Sequence, residues 1–276
     1  MGWKSPAPNS CAQNAVEGDS VIHPAAFIDP GARIGARVSI GPGSVIGADV
    51  TIGDDTHIGP HVVIEGPTTI GRENRIWQFA SLGSDPQDKK FHAERSELVI
   101  GDRNVIREFC TFSRGTSDGG GVTRIGDDNW IMAYVHIAHD CQIGDNIIFA
   151  NAASMAGHVH VGDWVIFGGF TLVHQFCKIG AHAFTSMGSV INRDVPPFIT
   201  VAGNFASPKG INSEGLRRRG YDNERIAAIK RAYRTLYLSR LPLTEARASL
   251  QEQAQSSEDV RQLVDFISQS ERSLVR

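Results

Sequence analysis

The strongest constraint in this 276-residue sequence is a six-residue period that runs almost without fault. An aliphatic residue recurs at Ile22, Ile28, Ile34, Ile40, Ile46, Ile52, Ile58, Ile64, Ile70, Ile76 and Leu82, and from Ile34 to Ile58 each is followed by Gly. After an interruption the period resumes at Ile125 and runs through Ile137, Phe149, Met155, Val161, Phe167 and Val173 to Ile179 and, past Thr185, Ile191. The position four residues after each of these is mostly small or β-branched, as at Val38, Ser44, Val50, Val62, Val135, Cys141 and Val159. Such a period fits neither a helix nor one long alternating strand. It fits short strands that turn every six residues, with Gly, Asp and Asn at the turns and both repeating positions facing inward. Three strands then close one triangular coil of eighteen residues. Stacked coils pair as parallel strands about 4.8 Å apart, so residues eighteen apart in sequence lie one above the other.

The interruptions are as informative as the repeat. Ser84–Glu97 is polar and charged, Ser113–Val122 contains Gly119-Gly120-Gly121, and neither supplies inward residues. Both should bulge outward as loops, where sites concentrate. Pro196-Pro197 should end the last coil, since proline cannot donate to a strand ladder. Beyond a linker at Ala202–Ile211, helical spacing appears at Ile226, Ile229, Ala232, Tyr233, Leu236 and Tyr237, with Asp222 as N-cap and Pro242 closing the helix. Leu243–Ala254 and Ser257–Leu274 read as two further helices. The expected organisation is a disordered extension over 1–18, a β-helix over 19–201 and a small α-helical domain over 202–276.

Net charge of −3 argues against bulk nucleic-acid binding. No run of about 18 apolar residues offers a membrane span, and residues 1–18 lack the apolar core of a secretory signal. Four cysteines sit far apart, three of them (Cys110, Cys141, Cys177) at inward positions, as reduced core thiols would. This points to a cytoplasmic setting.

Histidines cluster in the second repeat block: His136, His139, His158, His160 and His174. His139 falls two residues past an inward Ile, near a corner and facing out. Eighteen residues on lies Gly157, and eighteen more reaches Gln175; Asp140, beside His139, stacks under His158. A histidine next to a carboxylate can serve as general base, and a glycine N–H one coil away can stabilise an oxyanion. Acyl transfer needs both. No serine or cysteine stands beside such a base, which favours direct attack by a substrate hydroxyl over a covalent enzyme intermediate. Zinc is a rival reading, but His136, His158 and His174 share no stacking column.

The strings HIAHDC at His136–Cys141, AGHV at Ala156–Val159, VHQFCKIGAH at Val173–His182 and EGLRRRG at Glu214–Gly220 resemble one family of hexapeptide-repeat acyltransferases. It is the UDP-N-acetylglucosamine O-acyltransferase family of lipid A biosynthesis. The resemblance runs from about Ile22 to Arg276. It implies a left-handed parallel β-helix, a homotrimer with sites between subunits, and transfer of a (3R)-3-hydroxyacyl chain from acyl carrier protein to the glucosamine 3-hydroxyl of UDP-N-acetylglucosamine. Neither cofactor nor metal is expected. By motif, the resemblance makes His139 the base, Asp140 its partner and the Gly157 N–H the oxyanion donor. It makes Asp88 and Lys90 of Gln87-Asp88-Lys89-Lys90 sugar or phosphate contacts, and has His136, His158, His174 and Gln175 line the site. Asn212, Glu214, Arg218 and Arg219 match the nucleotide-binding stretch, where paired guanidinium forks suit a diphosphate.

Two positions depart from the family pattern. Phe205 replaces the histidine of a Gly-Asn-His-Ala segment, and Met187 stands where some relatives carry glycine, at a position tied to acyl length. A methionine there should shorten the groove. The related N-acyltransferase would need a nucleotide-binding domain ahead of the repeat, which starts near Ile22. Two further readings are a zinc β-helix of the carbonic anhydrase type and a non-catalytic rod.

Overall fold

A computed structural model describes residues 19–276; the expected extension over 1–18, with Cys11, lies outside the described residues. The period becomes a parallel β-helix of three sheets. The first has eleven strands, from Val21–Ile22 up to Ile199–Ala202 with Ser207–Ile211 added at its edge. The second has nine, from Phe27–Ile28 to Val190–Ile191, and the third eight, from Arg33–Ile34 to Lys178–Ile179. Every pairing inside the coils is parallel and keeps the inward residues in line: Ile22 pairs with Ile40, Ile28 with Ile46 and Ile34 with Ile52.

Both inward positions are buried, the aliphatic one as in Ile46, Ile64 and Ile137 and the small one as in Val38, Val62 and Ala153. Larger residues fill the second block, where Phe149 and Phe167 stack at 4.8 Å. Inward polar residues are bonded. The Asn74 Nδ2 group donates to the Gly101 carbonyl, while its Oδ1 accepts from the Asn104 N–H one coil up. Corners use the left-handed region even without glycine: φ is 55° at Asp49, 61° at Asp140, 61° at His158 and 64° at Phe176. Each such residue throws its side chain off the corner.

The two loops leave the stack at the same corner, between the second and third sheets. Pairing is regained at once, Leu98 with Thr68 below and Ile100 with Ile125 above. Pro196-Pro197 does not end the last coil. Ile199–Ala202 adds one more parallel strand, Phe184 opposite Thr200, because the prolines sit at the turn before it and leave its ladder intact. The Ala202–Ile211 linker is the return strand of an antiparallel hairpin.

Four helices follow: α1 Ser213–Arg218, α2 Asn223–Tyr237, α3 Leu243–Ala254 and α4 Glu258–Gln269. Asp222 caps α2 by accepting from the Arg225 N–H at 2.8 Å. Pro242 does not close α2, which stops at Tyr237; it is the N-cap of α3. α4 ends at Gln269 rather than Leu274, because Ser270 turns to the Asp194 carboxylate and Val275 donates to the Asp194 carbonyl. Ala232, Leu236, Leu250 and Leu263 give the helices their own core, while Phe198, Leu216, Ile226 and Ile229 form a second cluster beside the last coil. No helix among the described residues is long and apolar enough to cross a membrane.

Candidate active site

The site is built on the corner where the second sheet passes into the third. His136–Ile137 is the last strand before it and Gln142–Ile143 the first after it. Asp140 occupies the left-handed corner position, and its own N–H donates to Thr123 Oγ1 at 2.8 Å. Its carboxylate is fully buried and surrounded by donors: the Thr116 N–H reaches Oδ1 at 2.8 Å, and the Thr116 hydroxyl reaches Oδ2 at 2.6 Å. His139 Nδ1 lies 2.8 Å from Oδ2. Burial pushes the Asp140 carboxyl up, but the bonds from His139 and Thr116 outweigh it and hold the group below the usual carboxylate range. An ionised carboxylate can only accept, so Nδ1 carries the proton and the lone pair of His139 sits on Nε2.

That nitrogen faces Gly157. A Cβ built on Gly157 would stand 2.6 Å from His139 Cε1 and 2.8 Å from Nε2, so any side chain at 157 would have to displace the ring one coil below. The coil stacking is direct: the His158 N–H donates to the His139 carbonyl and the Phe176 N–H to the Gly157 carbonyl. The Gly157 N–H itself meets no acceptor among the described residues. Many corners of the rod leave this N–H free; here Gly157 is buried against the His139 ring. His139 Nε2 and an amide without a partner among the described residues thus meet at one corner, the two groups that hydroxyl deprotonation and oxyanion binding use.

His158 closes the other side. It stands edge-on to His139 at 5.1 Å, lies flat on Phe176 at 4.4 Å, and holds Nε2 3.7 Å from Asp140 Oδ2. Burial lowers its proton affinity, against the pull of Asp140, so the ring is neutral near pH 7. The carboxylates of Asp88 in the first loop and Asp118 in the second also act on it, which brings both loops to this corner. Ser117 ties the loops together, its N–H and hydroxyl each 3.3 Å from Glu94 Oε1. Asp88 accepts from the Lys90 N–H, and the Lys90 side chain is exposed. His136 bonds Thr111 Oγ1 at 2.8 Å, and burial depresses its basicity. His174 and Gln175 are exposed one coil above Gly157.

The remaining candidates lie on other edges of the triangle. Arg219 bonds His182 Nδ1 at 3.0 Å and covers the Trp164 ring at 5.1 Å, at the corner between the third and first sheets. Asn212 has no free amide: it accepts from the Gly215 N–H to cap α1 and donates to the His182 carbonyl. Glu214 pairs with Arg218 and Arg217 on the exposed face of α1. Met187, 77 % exposed, sits above Gly169 at the third edge, between the first and second sheets. Phe205 is exposed in the hairpin turn. One chain therefore joins Asp88, Lys90, His136, His158, His174 and Gln175 to the His139 corner, and leaves Asn212, Glu214, Arg218, Arg219 and Met187 on two other edges.

His139, Asp140 and His158 present ligand-type atoms within 4.8 Å of one another. The fit to a metal is poor, because Asp140 Oδ2 already accepts from the Thr116 hydroxyl and His139 Nδ1 holds the proton of that bond. Sequence reasoning missed Thr116 and Thr123, 24 and 17 residues from Asp140. The available signal was the register: Thr111–Phe112 lies under His136–Ile137, so the second loop starts directly beneath His139.

The six-residue repeat matches the family described as bacterial transferase hexapeptide (six repeats) over residues 19–53, 49–84 and 123–154. Residues 194–275 match the second domain of the family Udp N-acetylglucosamine O-acyltransferase. A protein of Stenotrophomonas maltophilia (strain K279a) named acyl-[acyl-carrier-protein]--UDP-N-acetylglucosamine O-acyltransferase is 61 % identical over 256 residues, 92 % of this chain and 97 % of its own. A protein of the same name from Janthinobacterium sp. (strain Marseille) is 60 % identical over 93 % of this chain and all of its own. The crystal structure of the Francisella novicida UDP-N-acetylglucosamine acyltransferase superposes with a TM-score of 0.90 at 42 % identity, covering 93 % of this chain and 94 % of that one. With sequence, fold and corner geometry in agreement, this chain belongs to the UDP-N-acetylglucosamine O-acyltransferase family.

Proposed function

We propose that the protein transfers a (3R)-3-hydroxyacyl group from the thioester of acyl carrier protein to the 3-hydroxyl of UDP-N-acetylglucosamine, the first step of lipid A biosynthesis. The observation that carries this reading is the orientation of His139: its Nδ1 proton is spent on Asp140 and its Nε2 faces the Gly157 corner. Nε2 takes the proton of the sugar hydroxyl as that oxygen attacks the thioester carbon. The carbonyl oxygen becomes an oxyanion and accepts from the Gly157 N–H, while Asp140 stabilises the imidazolium. Collapse breaks the carbon–sulfur bond, and His139 returns the proton to the departing thiolate. No group on the protein is acylated.

Asp88 and Lys90 are assigned to the sugar or phosphates, and His136, His158, His174 and Gln175 to the walls of the site. Glu214, Arg218 and Arg219 take the nucleotide end, with Asn212 holding α1 in place. Their separation from His139 by an edge of the rod supports a homotrimer in which neighbouring subunits complete each site. The exposed stacked column of Phe79, Phe109 and Tyr134 suits burial against a second copy. Residues 202–276, with their own core, are read as a separate helical domain that offers Arg217, Arg218, Arg219, Lys230, Arg231 and Arg234 to an acidic carrier protein. Three buried, unbridged cysteines support a cytoplasmic location.

The test is an acyl-transfer assay with UDP-N-acetylglucosamine and a panel of 3-hydroxyacyl carrier proteins, run beside His139→Ala. Turnover should fall by about 10²–10⁴-fold in the variant. A variant that kept near-normal turnover would remove His139 as the base.

A further inference from the structure

We propose that Thr116 is a positioning residue for acyl transfer: the second loop exists to press it onto Asp140, so that the carboxylate stays charged and turned toward His139. The inference rests on the reading of His139 as the base. Thr116 is 5 % exposed and satisfies both oxygens of one carboxylate, Oδ1 through its N–H and Oδ2 through its hydroxyl. With His139 on Oδ2 as well, Asp140 carries three donors and cannot rotate without breaking one.

The loop is shaped around this contact. Thr116 is extended, at φ −124° and ψ 156°, and its carbonyl accepts from the Gly119 N–H at 3.1 Å and the Gly121 N–H at 2.8 Å, closing a tight turn over Ser117–Gly119. Gly119 rests on Asp140 so closely that a Cβ there would lie 2.0 Å from the carboxylate carbon. The loop's far end contributes Thr123, which holds the Asp140 backbone. Glu94 of the first loop bonds the next residue, Ser117. A free carboxylate beside a histidine would spread its charge over any donor that reached it. This one has its donors fixed, with a single acceptor direction left for the imidazole.

Thr116→Val keeps the shape and the backbone N–H and removes the hydroxyl. Loss of one hydrogen bond to a charged group should lower kcat by roughly tenfold, with KM for UDP-N-acetylglucosamine unchanged within about twofold. The carboxylate then binds its proton and its imidazolium more tightly. The acid limb of the kcat/KM profile should therefore move to higher pH, a shift that a merely structural role would not produce. Thr116→Ser should restore both rate and limb. If Thr116→Val does not fold, Thr116→Cys is read instead, and its weak donor should give the same changes at smaller size. A folded Val or Cys variant with wild-type kcat and an unmoved acid limb overturns the proposal. His139→Ala in the same assay separates the two readings: if it is inactive while Thr116→Val is normal, only the role of Thr116 falls, and if it is active, the base assignment falls.

Discussion

Asp49 and Asp140 occupy the same corner of the triangle, four coils apart and alike in backbone, with φ of 55° and 61°. Each follows an inward Ile by three residues, Ile46 and Ile137. Asp49 is exposed and pairs with Arg95 at 3.1 Å across open surface, its side chain 60 % accessible. Asp140 is sealed under the second loop with three donors on its carboxylate and a histidine before it, where Asp49 has Ala48. The corner supplies direction and nothing more. The difference comes from the loop that covers one corner and excludes water from its charge, since the same carboxylate interacts far more strongly when desolvated.

The sharpest way to break this comparison is to remove both charges. Asp140→Asn should lower kcat by about 10²-fold or more, and Asp49→Asn should leave it unchanged in the same assay. The acid response should differ as well. Asp140 is held below its ordinary value, so the stability it contributes is complete above about pH 4, where an unfolded aspartate is ionised, and is lost as pH falls through the lowered folded value. Unfolding of the wild type and Asp140→Asn, compared at pH 7 and pH 3, should show that this acid-linked loss is missing in the variant.

The glycines one coil above extend the pairing. Gly157 stands over His139 and Gly66 over Ala48. Gly157→Ala would push a Cβ into a movable ring, so kcat should drop by about 10²-fold while the melting temperature changes little. Gly66→Ala would put its Cβ 1.9 Å from the Ala48 carbonyl oxygen, which is backbone and cannot swing away. That variant should lose about 1–3 kcal/mol of stability, read by denaturant unfolding, with normal activity in the folded fraction.

The smallest effect should come from the edge between the first and second sheets, where Met187 sits and neither loop reaches. Met187→Gly should admit longer acyl chains, with preference shifting about fourfold per added methylene, since burying each is worth about 0.8 kcal/mol. Unchanged chain-length selectivity across the carrier-protein panel would remove Met187 from that role.

Much of this was written in the period. Because each coil has a fixed length, Ile22 to Ile191 could be assigned inward, and Gly157 and Gln175 placed over His139, by counting. Counting fails where the chain leaves the stack. Thr116 reaches Asp140 through a turn whose shape depends on Gly119 and Gly121, and no spacing encodes that. It fails again after Pro196-Pro197, where the hairpin Ile199–Ile211 is set by pairing with the last coil rather than by any local pattern. The short helix α1, six residues long, is fixed by Asn212 and by the His182 carbonyl it meets. A contact 30 residues away in sequence leaves no local trace.

Register across the loops has a consequence for how such a rod can change. Partners lie 18 residues apart in the plain coils, 30 apart across the first loop and 25 across the second, yet the coils above remain in step. An insertion or deletion at this corner is absorbed where it occurs and transmits no displacement to the next strand. The loops are thus free to vary in length independently of the frame, whereas a one-residue change inside a strand would turn the rest of that strand's inward side chains outward. Two segments of this rod can thus be lengthened or trimmed with the His139–Asp140 corner left in place beneath them.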